Sequence, residues 1–399
     1  MSDKDTKDLG YTMVRPSFFD LADPNAGIYK CELKGLYILL VLISTFYIGI
    51  SAVQRFSSVG YFWEDALFWA MAKDWLIVAL AYPFLFAYSF MAYFLQILII
   101  KGLSYNLSVV FQHLSQGFMF LVVSYIIVTW DCGFSQTMYM TILCFCFFMK
   151  MHSYTMVNRD LRENQDKSEN KYPKNITIAN YANYLLTPVL IYQLSYPRIP
   201  KFRPEYFFKK LILLFFQLFS MYVITSDHIM PALARGKSIQ FLDLYCRLIL
   251  PTLIVYLLIF FVAFEQILNL LAEISRFGDR EFYQDWWNSL SQSDFARKWN
   301  RPIHLFLYKH VYLELRTRYG FKNMASSLFT LLFSSLCHEM IAALICKKIR
   351  FYLLGIMWLQ FPLIFLVKTV KNDLFGLYLF LIGIIAGPPL ILTLYAVSI

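Results

Sequence analysis

Long apolar blocks constrain this chain more than any other feature of it. Gly35–Val53, Trp75–Ile100 and Leu374–Tyr395 each run for about the length of a membrane crossing, almost without a charge. A span needs roughly 20 apolar residues to cross about 30 Å of hydrocarbon. Backbone polar groups in that medium must be satisfied internally, so the blocks are expected to be helices. A closed barrel would instead show short segments of alternating polarity, and these runs are continuous. Composition agrees: 59% of the 399 residues are hydrophobic and 16% charged, against about a quarter charged in soluble domains.

Hydropathy predicts about nine spans, near 36–53, 74–100, 116–131, 135–150, 207–226, 247–273, 325–346, 351–370 and 374–397. Residues 55–72 read as an interfacial helix with an aromatic side, interrupted by Glu64 and Asp65. Residues 183–196 are apolar but short, with Pro188 inside and Pro197 at the end, and read as a surface or re-entrant segment. The expected organisation is therefore a short cytosolic N-terminal segment, 1–35, followed by one multi-span domain, 36–399. Its cytosolic loops would lie near 150–206 and 275–323.

The formal net charge of +10 fits basic loops that set orientation, and no nucleic-acid partner is expected. Arg159, Arg162, Lys167, Lys171, Lys201, Arg203, Lys209 and the basic residues of 276–322 all fall on the cytosolic side if the N-terminus is cytosolic and the C-terminus luminal. Lys347, Lys348 and Arg350 are the exception, in a short luminal turn from which they could snorkel. The sequons at Asn106 and Asn175 fall on the cytosolic side and are expected to stay unmodified. Seven cysteines show neither metal spacing nor a disulfide framework and read as small apolar packing residues. No metal and no permanently bound cofactor is expected, and phosphate-loop, dinucleotide and nucleophile-elbow patterns are missing from the sequence.

Polarity inside a span is costly and marks candidate sites. Glu265, Asn269 and Glu273 are spaced by four and share one helix face. They face a cavity, water or another polar helix, and a helix–helix hydrogen-bond network is the plainer alternative. The stretch Arg276 to Asn288 mixes charges with aromatic residues, as an interfacial belt or a site would. In 325–346, Ser334 lies one turn before His338, and Glu339 follows it. An imidazole is suited to proton transfer near neutral pH, although a lone buried histidine is often a packing residue. His304, His310, His152, His113 and His228 read more weakly.

Phe282-Tyr283-Gln284-Asp285-Trp286-Trp287-Asn288 resembles the Phe-Tyr-x-Asp-Trp-Trp-Asn signature of the membrane-bound O-acyltransferase superfamily, in the branch of sterol and diacylglycerol O-acyltransferases. Arg276–Arg280, Trp299-Asn300-x-Pro302-x-His304 and the pair His338-Glu339 extend the resemblance. His152-Ser153-Tyr154, Leu190–Arg198 and Gly387-Pro388-Pro389-Leu390 are most similar to fungal sterol enzymes, while Phe277–Phe282 matches diacylglycerol enzymes as well. Three departures are a short N-terminal region, a short loop after His152, and a carboxylate, Glu265, near a position where animal members are expected to carry histidine.

The resemblance implies a polytopic all-α fold and acyl transfer from long-chain acyl-CoA to a sterol 3-hydroxyl, making steryl esters for storage in lipid droplets. His338 would be the general base and Asn288 a donor to the acyl-CoA or the oxyanion, with Ser334, Glu339 and Trp287 in support. Phe282, Tyr283, Asp285, Trp286, Trp287, Asn288 and His304 would contact acyl-CoA, and Glu265, Asn269 and Gln360 would line a sterol cavity. It further implies an endoplasmic reticulum membrane and a homodimer or homotetramer. The nearer alternative is diacylglycerol acylation. The farther one is a lipid transporter or sensor, for which the sequence shows no inverted repeat.

Overall fold

The computed structural model describes residues 10–21, 23–31, 34–73, 75–164, 172–235 and 239–397. Among them the chain is all-α, with two isolated backbone bridges and no strand. Among the described residues eight helices are long and apolar enough to cross a membrane, and a ninth apolar run, Tyr352–Val367, is shorter. Pro83, Pro251, Pro362, Pro388 and Pro389 lie inside helices, as membrane spans tolerate. The chain divides into two compact units, each described by itself below.

The first unit takes in 71–197 and 302–349 with the described residues 10–12. Its helices are Trp75–Ile100, Tyr105–Thr129, Phe134–Glu163, Ile178–Leu186 and Asn323–Cys346, with a run broken by a π-turn over 301–317. Gly102 turns the first of these into the second at φ +105°, where a side chain would be strained. Ser104 then caps the second helix by accepting from the Leu107 amide.

Two expected boundaries move. Residues 105–115 and 150–163 are helical rather than loop, because the spans there continue past the end of the apolar run. The extra turns of Phe134–Glu163 carry polar side chains turned into protein. Lys150 Nζ donates to the carbonyls of Tyr184 (3.0 Å) and Thr187 (2.8 Å), and Arg159 pairs with Glu314 (2.6 Å). Arg159 is thus no loop charge. Lys167 and Lys171, assigned to the same loop, lie outside the described residues.

Residues 183–196 are not a surface segment. Val189, Leu190, Ile191 and Tyr192 are buried. The rings of Tyr154, Tyr181, Tyr184 and Tyr192 pack together, with Tyr154 and Tyr181 4.3 Å apart and Tyr184 and Tyr192 5.3 Å apart. Asn175 is also buried, and its amide donates to Asn158 (2.7 Å). Lys347, one of the basic residues expected to snorkel, instead pairs with Asp131.

The second unit takes in 13–70, 198–301 and 350–399. Its long helices are Lys34–Val59, Pro204–Ile224, Phe241–Phe260, Tyr352–Val370 and Asp373–Val397. The expected interfacial helix at 55–72 is divided. Residues 55–59 end the first span, 62–64 form a single 3-10 turn, and Ala66–Ala72 is a separate short helix. Arg55 bridges Asp65 and Asp227 at that break, and Tyr222 donates to Asp65 (2.5 Å), so the two acids that interrupt the apolar pattern have protein partners or a turn to occupy. The polar stretch after Ile274 is folded rather than open loop, with Phe277, Asp279, Arg280, Phe282 and Tyr283 all at 2% exposure or less.

Candidate active-site elements

The signature segment lies in the second unit, between the helix ending at Ile274 and the helix Gln292–Trp299, which Ser291 caps from the Asp294 amide. Its two ends are pinned by backbone hydrogen bonds. The Arg301 amide donates to the Phe282 carbonyl (3.0 Å), and the Gln284 amide donates to Lys298 (2.8 Å). Alternate use of its residues follows. Phe282, Tyr283 and Trp286 point inward, Trp286 against Trp299 (4.8 Å) and Phe260 (5.3 Å). Asp285 and Trp287 are half-buried, and Asn288 is exposed at the end of a 3-10 turn. Among the expected acyl-CoA contacts in this segment, Phe282, Tyr283 and Trp286 are therefore occupied in shaping the loop. Asp285, Trp287 and Asn288 remain on a surface a ligand could reach. Asn288 Nδ2 stands 3.5 Å from Asp285 Oδ2.

Beneath the loop, Arg301 Nη1 pairs with fully buried Asp279 (3.2 Å) and also donates to the Glu281 carbonyl (3.0 Å). Burial pushes the Asp279 carboxyl above its ordinary range, opposed by the neighbouring Arg301 and Arg15.

The stripe Glu265, Asn269, Glu273 faces protein, not a cavity. All three are at 3% exposure or less. Glu265 accepts from Lys210 (2.5 Å), Ser17 (2.5 Å) and Tyr283 (2.6 Å). Asn269 accepts from Tyr206 (3.0 Å), and Glu273 holds Arg203 (3.0 Å) and Arg280 (2.5 Å). The helix here contains a π-turn over 261–267. Such a turn disturbs the regular backbone bonding, and the Asn269 amide donates to the carbonyls of Phe264 and Glu265 (3.1 Å each). Glu265 and Asn269 thus belong to a hydrogen-bonded network between segments, and the sterol-cavity reading drops them. Gln360, also in this unit, is half-buried on the helix Tyr352–Val370.

His338 lies in the first unit, on the helix Asn323–Cys346, and its ring is exposed. Nδ1 sits 2.8 Å from the Ser334 carbonyl oxygen. A carbonyl only accepts, so Nδ1 carries the proton, and in the neutral ring Nε2 then presents its lone pair. The contact made by Ser334 is thus through its backbone carbonyl and not through its hydroxyl. Glu339 is buried and points about 100° away around the helix. His304 is half-buried on the helix Arg301–Leu307, its ring 6.2 Å from that of Tyr308.

Two groups escaped the sequence reading. His310, which reads only weakly in the sequence, is buried on a π-turn and hydrogen-bonds Ser153 (2.8 Å). Its ring is 6.0 Å from that of His152, which in turn bonds Gln112 (3.2 Å). Burial first, then the charges of His152, Lys309 and Arg159, hold His310 well below its ordinary value of 6.5. The other group is the N-terminal stretch around Ser17, whose only signal was the pair Phe18-Phe19 within a polar run. Among the described residues no cluster of three histidine, cysteine or acidic side chains is placed to hold a metal ion.

These elements define a polytopic helical membrane protein with a buried-aromatic loop and an imidazole displayed on a span. A family model described as MBOAT, membrane-bound O-acyltransferase family, matches residues 110–397, and the chain belongs to that family. It is 28% identical to the "Probable sterol O-acyltransferase 1" of Schizosaccharomyces pombe, over 96% of this chain and 85% of that protein. It is 35% identical to the "Sterol O-acyltransferase 2" of Candida albicans, over 57% of this chain and 39% of that protein. It is 31% identical to the "Diacylglycerol O-acyltransferase 1A" of Glycine max, over 68% of this chain and 58% of that protein. The last two alignments thus span less than two thirds of those relatives.

Proposed function

We propose that this chain is an acyl-CoA-dependent O-acyltransferase whose acceptor is a sterol 3-hydroxyl, acting as a multi-pass protein of the endoplasmic reticulum with a cytosolic N-terminus and a luminal C-terminus. The observation that carries the reading is His338, an imidazole on an apolar span with Nδ1 engaged by the Ser334 carbonyl and Nε2 left as the basic atom. His338 Nε2 takes the hydroxyl proton as the oxygen bonds to the thioester carbon. The carbon–sulfur bond then breaks, the CoA thiolate leaves, and the proton passes from the imidazolium to the thiolate. Asn288 donates to the acyl-CoA carbonyl as negative charge develops on it. Trp287 and Asp285 flank Asn288 and contact the same substrate.

The sterol acceptor is supported by the names of the fungal relatives and by the His152-Ser153-Tyr154 stretch. Similarity to the soybean diacylglycerol enzyme favours the second acceptor, diacylglycerol. Membranes from cells without neutral-lipid synthesis, expressing this chain and given labelled oleoyl-CoA with both acceptors, separate the two. Label in steryl ester is expected. Label confined to triacylglycerol would keep the chemistry and replace the acceptor, and label in neither product would remove the enzymatic reading.

A further inference from the structure

The stretch ahead of the first span is built into the signature loop. The Arg15 amide donates to the Gly278 carbonyl (3.0 Å), and the Arg15 carbonyl accepts from the Arg280 amide (2.8 Å). Arg15 Nη1 also reaches Glu281 (2.6 Å). Two residues on, Ser17 is fully buried and donates to Glu265 Oε2, the same oxygen that accepts from the Tyr283 hydroxyl. Lys210 occupies the other oxygen. One carboxylate therefore gathers donors from three separate segments: the N-terminal strap, the helix Pro204–Ile224 and the signature loop.

The next two residues meet the loop's exposed end. Phe18 packs edge-on to Trp287 with centroids 4.9 Å apart, and Phe19 lies 5.4 Å from Trp287 and 6.4 Å from Tyr283. The strap closes behind itself. The Ile28 amide donates to the Phe18 carbonyl (2.9 Å), and a Cβ at Gly27 would meet the Phe18 ring at 2.3 Å, so only glycine lets the ring seat against that turn.

We propose that Ser17 and Glu265 are positioning residues for acyl transfer, fixing Tyr283 and Trp287 and, through them, the direction in which Asn288 presents its amide. The proposal rests on the role given to Asn288 above. Asn288 is exposed, and its Nδ2 approaches Asp285 Oδ2 at 3.5 Å. Its aim is therefore set by the residues before it, and those are held by Phe18, Phe19 and the shared carboxylate. A glutamine at 265 would offer a single acceptor oxygen and turn an N–H group toward the remaining donors.

The test is a double-mutant cycle on kcat in the full-length protein, read per folded molecule, with Ser17→Ala, Asn288→Ala and the pair. Misplacing a catalytic group by about 1 Å costs on the order of 10²-fold, and one lost hydrogen bond should move the loop by less. Ser17→Ala is therefore expected to lower kcat roughly tenfold, and Asn288→Ala about 10²–10³-fold. If Ser17 acts through Asn288, the pair falls no further than Asn288→Ala alone. A merely structural role would lower the melting temperature and leave kcat per folded molecule intact. Ser17→Ala at wild-type kcat, or effects that multiply in the pair, would overturn the proposal. Tyr283→Phe removes the other donor to the same oxygen and repeats the cycle should Ser17→Ala not fold. A wild-type chain that transfers no acyl group overturns the functional reading, and this proposal with it. An active wild type with an unimpaired Ser17→Ala overturns this proposal alone.

Discussion

His338 and His310 show how the same side chain meets opposite surroundings within one fold. His338 is exposed, with one nitrogen tied to a carbonyl and the other free to accept a proton. His310 is buried and bonded to Ser153, a place that suits only the neutral ring. If His338 is the base proposed above, His338→Ala is expected to lower turnover by about 10²–10⁴ in protein that still inserts. His310 makes a different prediction. Its folded value is depressed below 6.5, so its contribution to stability is intact above that pH and is lost as the pH falls. The melting temperature of detergent-solubilised protein should drop between pH 7.5 and pH 5.5, and His310→Gln should flatten that dependence. An unchanged slope would mean that His310 already titrates normally in the fold. Sequence position separated these two residues only in part. His338 stood out because the run around it is apolar, whereas the π-turn that buries His310 leaves no mark in local composition.

The signature segment behaves as an element because charges beneath it are paired. Arg301 ties Asp279 to the Glu281 carbonyl, and its own amide holds Phe282. Removing one partner of a buried pair typically costs about 3–5 kcal/mol, since the other is left uncompensated. Arg301→Ala should therefore lower the melting temperature and the yield of folded protein more than Asp285→Ala, whose carboxylate is half-exposed. Equal losses would contradict the assignment of Asp279 and Arg301 as the loop's base. The long spans were legible in the sequence because apolar length has one helical solution in a bilayer. The connections were harder to read. The turns that extend Phe134–Glu163 carry Lys150, Arg159 and Asn158, which look like loop residues until Tyr184, Thr187, Glu314 and Asn175 are seen to meet them. The stripe at Glu265 was read correctly as one face, but its partners Ser17, Lys210, Arg203 and Arg280 come from distant positions that no local spacing identifies.

Among the described residues, eight long apolar helices and one shorter run give the chain its multi-pass character, and membership of the membrane-bound O-acyltransferase family gives that architecture a chemistry. Burial of Asn175 predicts that its sequon is never glycosylated in folded protein, whichever side of the membrane it faces. Endoglycosidase treatment should leave the mobility of an Asn106→Gln chain unchanged, and a shift abolished by Asn175→Gln would contradict the placement of 172–192. The central claim is that His338 is the base for acyl transfer to a lipid hydroxyl. The direct measurement is thiol release from oleoyl-CoA by purified protein in lipid discs, with and without sterol, for the wild type and His338→Ala. Sterol-dependent release of CoA thiol matched by steryl ester is expected in the wild type, and neither in the variant. Sterol-dependent turnover by His338→Ala at the wild-type rate would contradict the claim.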